Sequence, residues 1–133
     1  MPKRTRLVGA VLVRQGRILL GRRSPQKQTC PGMWDVIGGH VEAWETYEQG
    51  LRRELRDEIG ISPTGFRMLE HRQLSGQREI RIYLVDAWEG GEPRLSNDEH
   101  VSLAWFTIEE ACDLDLSSRE LVTVFRRLAG VSG

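Results

Sequence analysis

Four acidic side chains lie close together in the sequence after a pair of glycines: Glu45, Glu54, Asp57 and Glu58. At about 100° per residue of an α-helix, Glu54 and Glu58 share one flank, and Asp57 lies three positions from Glu54. Hard divalent cations such as Mg²⁺ prefer oxygen ligands, and they also bind the oxygens of phosphate groups. This segment could therefore hold a metal ion beside a phosphate.

The same acids have a simpler interpretation as part of a solvated helix face. Arg52, Arg53 and Arg56 alternate with them, and mixed charges along a helix usually form exposed ion pairs. Composition alone favours this simpler interpretation. A separate stripe, spaced at i, i+4 and i+8, is apolar and predicts a face that is buried against a core. Its members are Leu51, Leu55 and Ile59.

The order of the residues resembles the signature of the Nudix hydrolases, the Nudix box, over residues 39–61. That signature is Gly, five residues, Glu, seven residues, Arg-Glu-aliphatic, one residue, Glu-Glu, one residue and Gly-aliphatic. Every specified position matches except Asp57, which replaces a Glu, so the chain is identified as a member of this superfamily. The matching positions are Gly39, Glu45, Arg53, Glu54, Leu55, Asp57, Glu58, Gly60 and Ile61.

The resemblance implies a divalent metal site built from the acids of the box. In the family the box folds as loop–helix–loop, and its helix acids, here Glu54, Asp57 and Glu58, bind the metal. The backbone carbonyl of the glycine before the box, here Gly38, often joins them. Asp57 is one methylene shorter than the usual Glu, so we expect it to ligate less tightly or through a bridging water. The implied cofactor is Mg²⁺, with Mn²⁺ as a substitute.

Other box positions are structural in the family that the chain resembles. Arg53 looks like the box arginine that pairs with the early glutamate, Glu45, and fixes the loop that starts at Gly39. Trp44 stands where many members have Gly, so it would be strained if that position needs a positive φ. Ile37 stands where a Pro often precedes the paired glycines. These two departures are expected to alter the shape of the loop more than its chemistry.

A further acid outside the box is common in the family, on a loop before a strand that ends in Trp. Here the loop before the predicted strand at residues 101–106 carries Glu99, with Asp98 beside it as the competing residue. Glu99 therefore resembles the extra metal ligand or general base. The general base differs among family members, and three candidates remain open: Glu58, Glu54 and Glu99.

Substrate contacts are expected from residues that precede the box. Arg22 and Arg23 follow the second predicted strand, and their planar guanidinium groups suit phosphate oxygens; exposed loop arginines are the alternative. Trp34 could stack on a base, although an aromatic residue in such a place more often belongs to a core. His71 and His100 show no pattern beyond a place in a strand or loop.

The substrate class is indicated by resemblance alone. The subgroups that act on dinucleoside polyphosphates, ADP-ribose and NADH often carry marker residues after the box, and the sequence has none of them. The chain therefore most resembles the nucleoside-triphosphate pyrophosphohydrolases, and its partner would be a nucleotide or another small diphosphate. The oxidised-purine members use an Asn near the start of the last helix, where this chain reads Leu116-Ser117-Ser118-Arg119.

Two alternatives to nucleotide hydrolysis remain. The runs at 22–25, 31–35 and 39–41 resemble the isopentenyl-diphosphate-isomerase-like branch of the superfamily. True isomerases use a catalytic Cys near the Gly-His pair, whereas Cys30 lies before Pro31, and the intact box favours hydrolysis. The second alternative is a nucleotide-sensing module that has kept the fold and lost turnover.

The hydrophobic periodicity predicts strands alternating with helices in one domain of residues 1–133. Elements in this order indicate an α/β fold with a sheet between helices, and the family implies the same α/β/α sandwich with a mixed β-sheet. Gly60 is expected to end the box helix, Thr107 to begin the next, and Ser117 or Ser118 to begin the last. The predicted strands are 7–13, 17–20, 34–37, 67–74, 79–88 and 101–106, and the box helix is 46–59.

Composition argues against several other classes. The chain has 19 basic and 19 acidic residues, which disfavours a nucleic-acid polymer as partner. No apolar run approaches the roughly 20 residues that a membrane-spanning helix needs. Cys30 and Cys112 lack metal or redox spacing, so we expect them to be reduced, in the cytoplasm. Many Nudix proteins dimerise, so the resemblance allows a homodimer.

Overall fold

Residues 4–129, the part of the chain that the computed structural model describes, contain seven strands and three helices. The helices are α1 (Tyr47–Ile59), α2 (Ile108–Cys112) and α3 (Leu121–Arg126). The strands are β1 (Thr5–Arg14), β2 (Arg17–Arg23), β3 (Trp34–Asp35), β4 (Ile37–His40), β5 (Ser62–Leu74), β6 (Arg78–Glu89) and β7 (His100–Thr107).

The strands form a mixed sheet organised around β1. This strand pairs in parallel with β6 and antiparallel with β4 and β2. β5 extends the sheet beyond β6, while β3 and β7 each pair with β2. The predicted hairpin between β1 and β2 is present, with Val13 opposite Ile18. Because β1 has neighbours along its whole length, it carries a long apolar run.

Both faces of the central strands are covered by helices. Val8, Ala10 and Leu12 of β1 pack in the core that contains α1. Val11 and Val13 pack in the opposite core, which contains residues of α2 and α3. The architecture is therefore the expected α/β/α sandwich, with the box helix on one face and two short helices on the other.

The box helix, α1, has capping signals at both ends. Thr46 Oγ1 accepts from the Gln49 amide at 3.1 Å, and Gln49 Oε1 accepts from the Thr46 amide at 2.8 Å, which completes a capping box. Gly60 ends the helix with a φ of 71°, in the left-handed region, as predicted. The predicted apolar stripe is buried: Leu51, Leu55 and Ile59.

The fifth strand starts earlier than the sequence predicted. β5 begins at Ser62 rather than at residue 67, and it pairs with β6 along its whole length. Pro63 and Gly65, which are typical of turns, lie at shifts in this register. Irregular pairing of this kind accommodates residues that would interrupt a regular ladder.

The last helix starts later than predicted. α3 begins at Leu121, and its N-cap residue, Glu120, makes no capping hydrogen bond. Ser118 belongs to the preceding turn, where its Oγ accepts from the Glu120 amide at 3.3 Å, and neither it nor Ser117 caps the helix. Thr107 does cap α2, through a complete capping box.

The cysteines are unbridged. Cys30 and Cys112 are both free thiols. Within residues 4–129, none of the helices is both long and apolar enough to cross a membrane.

Candidate active site

A cavity of about 910 Å³ brings the box together with the sheet and the last helix. One part of its wall comes from β4, α1 and the loop before β7, through Gly38, Gly39, Glu54 and Glu99. This part is acidic. The other part comes from β5, β6 and α3 and is apolar with charges of both signs: Glu70, Arg72, Leu74, Arg78, Ile80, Glu120, Leu121 and Val124.

Arg53 fastens the box loop through its guanidinium group. Its Nε and Nη2 donate to the two carboxylate oxygens of Glu45 at 2.7 and 2.9 Å. Nη1 donates to Glu54 Oε1 at 2.9 Å, and Nη2 also donates to the His40 carbonyl at 2.8 Å. These bonds from Arg53 hold the pKa of the buried Glu45 carboxyl below its usual range. The structure thus brings the expected pair together and links it to β4 and α1.

The paired glycines allow β4 to lie close to β1 at Gly38 and close to Glu54 of α1 at Gly39. A Cβ on Gly38 would lie 1.9 Å from the carbonyl oxygen of Val8, and a Cβ on Gly39 would lie 2.8 Å from the carboxylate of Glu54. No side chain fits at such distances. Glu54 therefore rests directly against the backbone of β4, at the wall of the cavity.

Glu58 is a buried acid without a partner. Its side chain is 2% exposed, and neither carboxylate oxygen makes a hydrogen bond. Burial, together with the nearby carboxylates of Glu54, Glu99 and Asp35, raises the pKa of Glu58 to about 9. An unpaired buried carboxylate is costly, so this group of acids fits a bound divalent cation, which would satisfy them together.

The candidate metal ligands differ in orientation. Gly38, Glu54 and Glu99 line the cavity, and the charges of Glu54 and Glu99 act on Glu58. Asp57 and Glu58 are both outside the lining; Glu58 is buried, whereas the Asp57 side chain is 54% exposed and lies 3.8 Å from Arg56. Among residues 4–129, no three Asp, Glu, His or Cys side chains are already arranged to hold a metal ion. The acids gather in one region without forming a complete coordination shell.

The loop that carries Glu99 is attached to the end of α1. The amides of Arg94 and Ser96 donate to the carbonyls of Ile59 and Glu58 at 3.2 and 2.8 Å. These carbonyls belong to the last turn of α1, where the helix itself offers no amide partner. The helix that carries Glu58 and the loop that carries Glu99 are therefore joined through their backbones.

Of the three predicted substrate contacts, Arg23 is the one that lines the cavity. Its Nε donates to a loop carbonyl at 3.0 Å. Arg22 lies outside the lining, and its Nε donates to the Gly32 carbonyl at 3.0 Å. Trp34 packs edge to face on Phe106, with ring centroids 5.0 Å apart, at the margin of the core.

The cavity lining also contains polar residues that were not among the predicted site residues, and the ones nearest the acidic region include Lys27, Asp35 and His100. Lys27 Nζ lies 3.0 Å from Glu99 Oε2, and all three line the cavity. Burial raises the pKa of Asp35, and its hydrogen bonds oppose that effect. The sequence did offer an indication for Asp35: it is a charged residue within the otherwise apolar run at 34–37, and a charged side chain in such a run usually has a polar partner. His100 gave no such signal.

Trp44 is 75% exposed and unstrained. Between residues 4 and 129, the non-glycine residues with a positive φ are Gln15, Cys30 and Gln77. The position of Trp44 therefore does not need the conformation that would favour glycine.

Comparisons with known proteins identify the family. The sequence matches the NUDIX domain over residues 3–127. It is 37% identical over 123 residues to a CTP pyrophosphohydrolase of Escherichia coli (strain K12), which covers 90% of this chain and 87% of that protein. It is 30% identical over 135 residues to the nucleoside triphosphatase NudI of Enterobacter sp. (strain 638), which covers 92% and 95% respectively.

A solved structure agrees with this match. The MutT NUDIX hydrolase from Burkholderia pseudomallei has a TM-score of 0.82 to this chain at 28% identity, over 95% of this chain and 98% of that one. The domain match, the relatives, the fold and the sequence of the box all agree. The chain therefore belongs to the NUDIX domain family and is a Nudix hydrolase.

Proposed function

We propose that this chain is a Mg²⁺-dependent pyrophosphohydrolase that cleaves a nucleoside triphosphate, or a related nucleoside diphosphate derivative, to a monophosphate. The second product is phosphate or pyrophosphate. The main supporting observation is the buried, unpaired carboxylate of Glu58 among other acids. The adjoining cavity of about 910 Å³ is large enough for a nucleotide.

The names of two relatives support the substrate class. One is a CTP pyrophosphohydrolase, and the other is a nucleoside triphosphatase. We therefore rank nucleoside triphosphates first among the candidate substrates, ahead of ADP-ribose and dinucleoside polyphosphates.

The proposed cation site draws on oxygens from three elements. Glu54 and Glu58 of α1, Glu99 of the loop before β7 and the carbonyl of Gly38 would hold Mg²⁺, or Mn²⁺ in its place. When bound, such an ion neutralises phosphate charge and lowers the pKa of a coordinated water. Asp57 stays a proposed ligand on the family pattern, and its side chain would have to turn from solvent to take part.

Basic side chains at the cavity would bind the phosphates. Arg23 and Lys27 both line it, and charge-assisted hydrogen bonds from such cations to phosphate oxygens would bind the substrate. The general base would be Glu54 or Glu99, whichever carboxylate the cation leaves free, because both side chains line the cavity, whereas Glu58 is almost inaccessible.

A substrate screen in Mg²⁺ tests this function. The protein is incubated with nucleoside and deoxynucleoside triphosphates, nucleoside diphosphates, ADP-ribose, nucleotide sugars and dinucleoside polyphosphates, and the products are separated by anion-exchange chromatography. We expect turnover of at least one nucleoside triphosphate and a loss of at least about 100-fold in Glu58→Gln. Glu109→Gln changes an exposed acid of α2 and should leave the rate unchanged.

Other outcomes would favour the alternatives. No turnover of any nucleotide in Mg²⁺ or Mn²⁺ would reject the proposed hydrolysis. A nucleotide-induced thermal shift in such a protein would then favour a sensing module. Isomerisation of an isoprenyl diphosphate would favour the isomerase-like alternative, for which Cys30 lines the cavity with its Sγ 3.5 Å from the Ser117 carbonyl.

A further inference from the structure

His100 reaches the acidic region because β7 contains a bulge at its start. Arg22 of β2 pairs with Ser102, but the next residue, Arg23, pairs with His100. One extra residue, Val101, therefore stands in β7 without an opposite partner. Side chains alternate between the two faces of a strand, so an extra residue changes the face that His100 presents to its neighbours.

A glycine makes room for the imidazole on that face. A Cβ on Gly21 would lie 2.7 Å from Cδ2 and 2.8 Å from Cγ of His100, so the ring packs directly on the backbone of β2. The side chain of His100 is 5% exposed. Bulge and glycine together confine the ring to one place beside the cavity.

In this place the imidazole faces Glu58. His100 Nδ1 lies 3.7 Å from Glu58 Oε1, and neither Nδ1 nor either oxygen of Glu58 has a hydrogen-bond partner. Buried polar groups are nearly always hydrogen-bonded. A shift of less than about 1 Å would bring these two atoms to hydrogen-bond distance and satisfy both at once.

We propose that His100 is a positioning residue for Glu58, whose Oε1 accepts a hydrogen bond from Nδ1–H so that Oε2 is left for a cation. This role rests on the proposed function in one respect, namely that Glu58 binds the metal. Hydrogen bonds from outside the coordination shell fix the orientation of ligating side chains, and their loss typically costs about 10- to 100-fold in metal affinity or activity.

Two substitutions of His100 separate positioning from packing. His100→Asn keeps an amide nitrogen close to the place of Nδ1, whereas His100→Leu fills similar space without a donor. We expect the Leu variant to lose about 10- to 100-fold in Mn²⁺ affinity and in kcat, with KM for the nucleotide nearly unchanged, and the Asn variant to stay within about threefold. Mn²⁺ affinity is measured by electron paramagnetic resonance without nucleotide, so it does not depend on turnover.

A third variant leaves the imidazole in the chain and displaces it. Gly21→Ala adds a methyl group where the ring now packs, and we expect it to reproduce the loss of Mn²⁺ affinity seen in His100→Leu. Thermal unfolding in EDTA shows whether each variant is folded. If His100→Leu fails to fold, the Mn²⁺ affinity of Gly21→Ala tests the role of His100 instead.

The outcomes separate this role from the proposed function. Equal losses in the Asn and Leu variants, no loss in either, or no Mn²⁺ binding by the wild-type protein would overturn the role of His100. If the wild type hydrolyses no nucleotide but Mn²⁺ affinity falls only in the Leu and Gly21→Ala variants, hydrolysis is rejected and the role of His100 stands. If the wild type hydrolyses nucleotides and His100→Leu has the same Mn²⁺ affinity and kcat, the proposed hydrolysis stands and the role of His100 is rejected.

Discussion

Lys27 and Glu99 form a salt bridge beside the cavity, with Nζ 3.0 Å from Oε2. Lys27 belongs to the loop between β2 and β3, and Glu99 belongs to the loop before β7, so the pair joins two loops at the proposed phosphate site. Both side chains are partly exposed, and ion pairs of this kind contribute at most about 1 kcal/mol. The pair can therefore separate at little cost, which frees the carboxylate for a cation and the ammonium for a phosphate.

Replacing Lys27 with Met should weaken nucleotide binding more than it slows the chemical step. The variant lacks a positive charge at the cavity, so we expect KM for a triphosphate to rise about tenfold, or about 1.4 kcal/mol, while kcat changes less than about threefold. Steady-state kinetics at fixed Mg²⁺ measure both constants. Lys27→Arg is the matched control, and equal KM values for the Met and Arg variants would contradict a role for the charge.

Removing the guanidinium of Arg53 should destabilise the fold. Arg53→Met leaves the buried carboxylate of Glu45 without its cation, although the Glu42 amide still donates to it at 2.8 Å, and this loss costs about 3 kcal/mol. Because Arg53 holds the pKa of Glu45 below its usual value of 4.5, this stabilisation is present above about pH 4.5 and is lost as the pH falls. Urea unfolding should show a larger difference from wild type at pH 7 than at pH 4.

Arg56→Met is the control for that measurement, since Arg56 is exposed and in the same helix. Its unfolding free energy should stay close to that of the wild type. Equal stability of the Arg53 and Arg56 variants at pH 7 would show that the buried pair does not hold the box loop.

Metal-free protein should lose stability as the pH rises, because of Glu58. Its pKa in the folded protein is raised to about 9 from 4.5, so the stability that this group contributes is complete below about pH 4.5 and is lost progressively up to about pH 9. Glu58→Gln removes the ionisation, so the variant should melt above the wild type in EDTA at pH 8. Added Mg²⁺ should raise the Tm of the wild type alone.

Melting curves from pH 6 to pH 9, with and without EDTA, test this expectation. Glu109→Gln serves as the matched control and should follow the wild type throughout. If the Tm of Glu58→Gln in EDTA lies below that of the wild type at every pH, ionisation of Glu58 does not destabilise the metal-free protein.

Asp57 should matter less to metal binding than Glu58. The side chain of Asp57 is exposed, whereas Glu58 is buried within reach of the charges of Glu54 and Glu99. We expect Asp57→Asn to raise the Mg²⁺ concentration for half-maximal activity by about tenfold, well short of the loss in Glu58→Gln. Titration of activity with Mg²⁺ measures the concentration for half-maximal activity. Asp57→Glu, which introduces the usual residue of the box, should bind Mg²⁺ more tightly than the wild type. Equal losses in the two variants would make Asp57 a full ligand.

The box helix could be predicted almost to the residue because its signals are local. An apolar stripe and a terminal glycine lie within one short segment, and α1 ends at the predicted residue, Ile59. Element boundaries that depend on strand pairing were predicted less accurately from the sequence. β5 runs through Pro63 and Gly65 because pairing with β6 overrides their preference for turns.

The predicted site residues that line the cavity include Glu54 of the box and, outside the box, Arg23 and Glu99. The pairing of Arg53 with Glu45 follows from one motif, since both partners lie within it. The place of His100 at the site depends on a bulge in the pairing of β2 with β7, and no local sequence pattern predicts that bulge. Trp34 adjoins the box in sequence, yet it packs on Phe106 because β3 and β7 flank the same strand. Such contacts arise only when the whole sheet is assembled.

The loop before β7 can separate from the end of α1, and the contacts between them determine how often it does so. Residues 90–99 are mostly exposed. They are held by backbone hydrogen bonds from Arg94 and Ser96, a hydrogen bond from Trp88 to the Gly91 carbonyl, and ion pairs of Glu92 with Arg14 and of Glu99 with Lys27. Segments with so few buried contacts open at a free energy far below that of global unfolding. Opening here would carry Glu99 away while both hydrophobic cores stay intact. On heating, the enzyme would then inactivate reversibly at temperatures at which its fold is still complete.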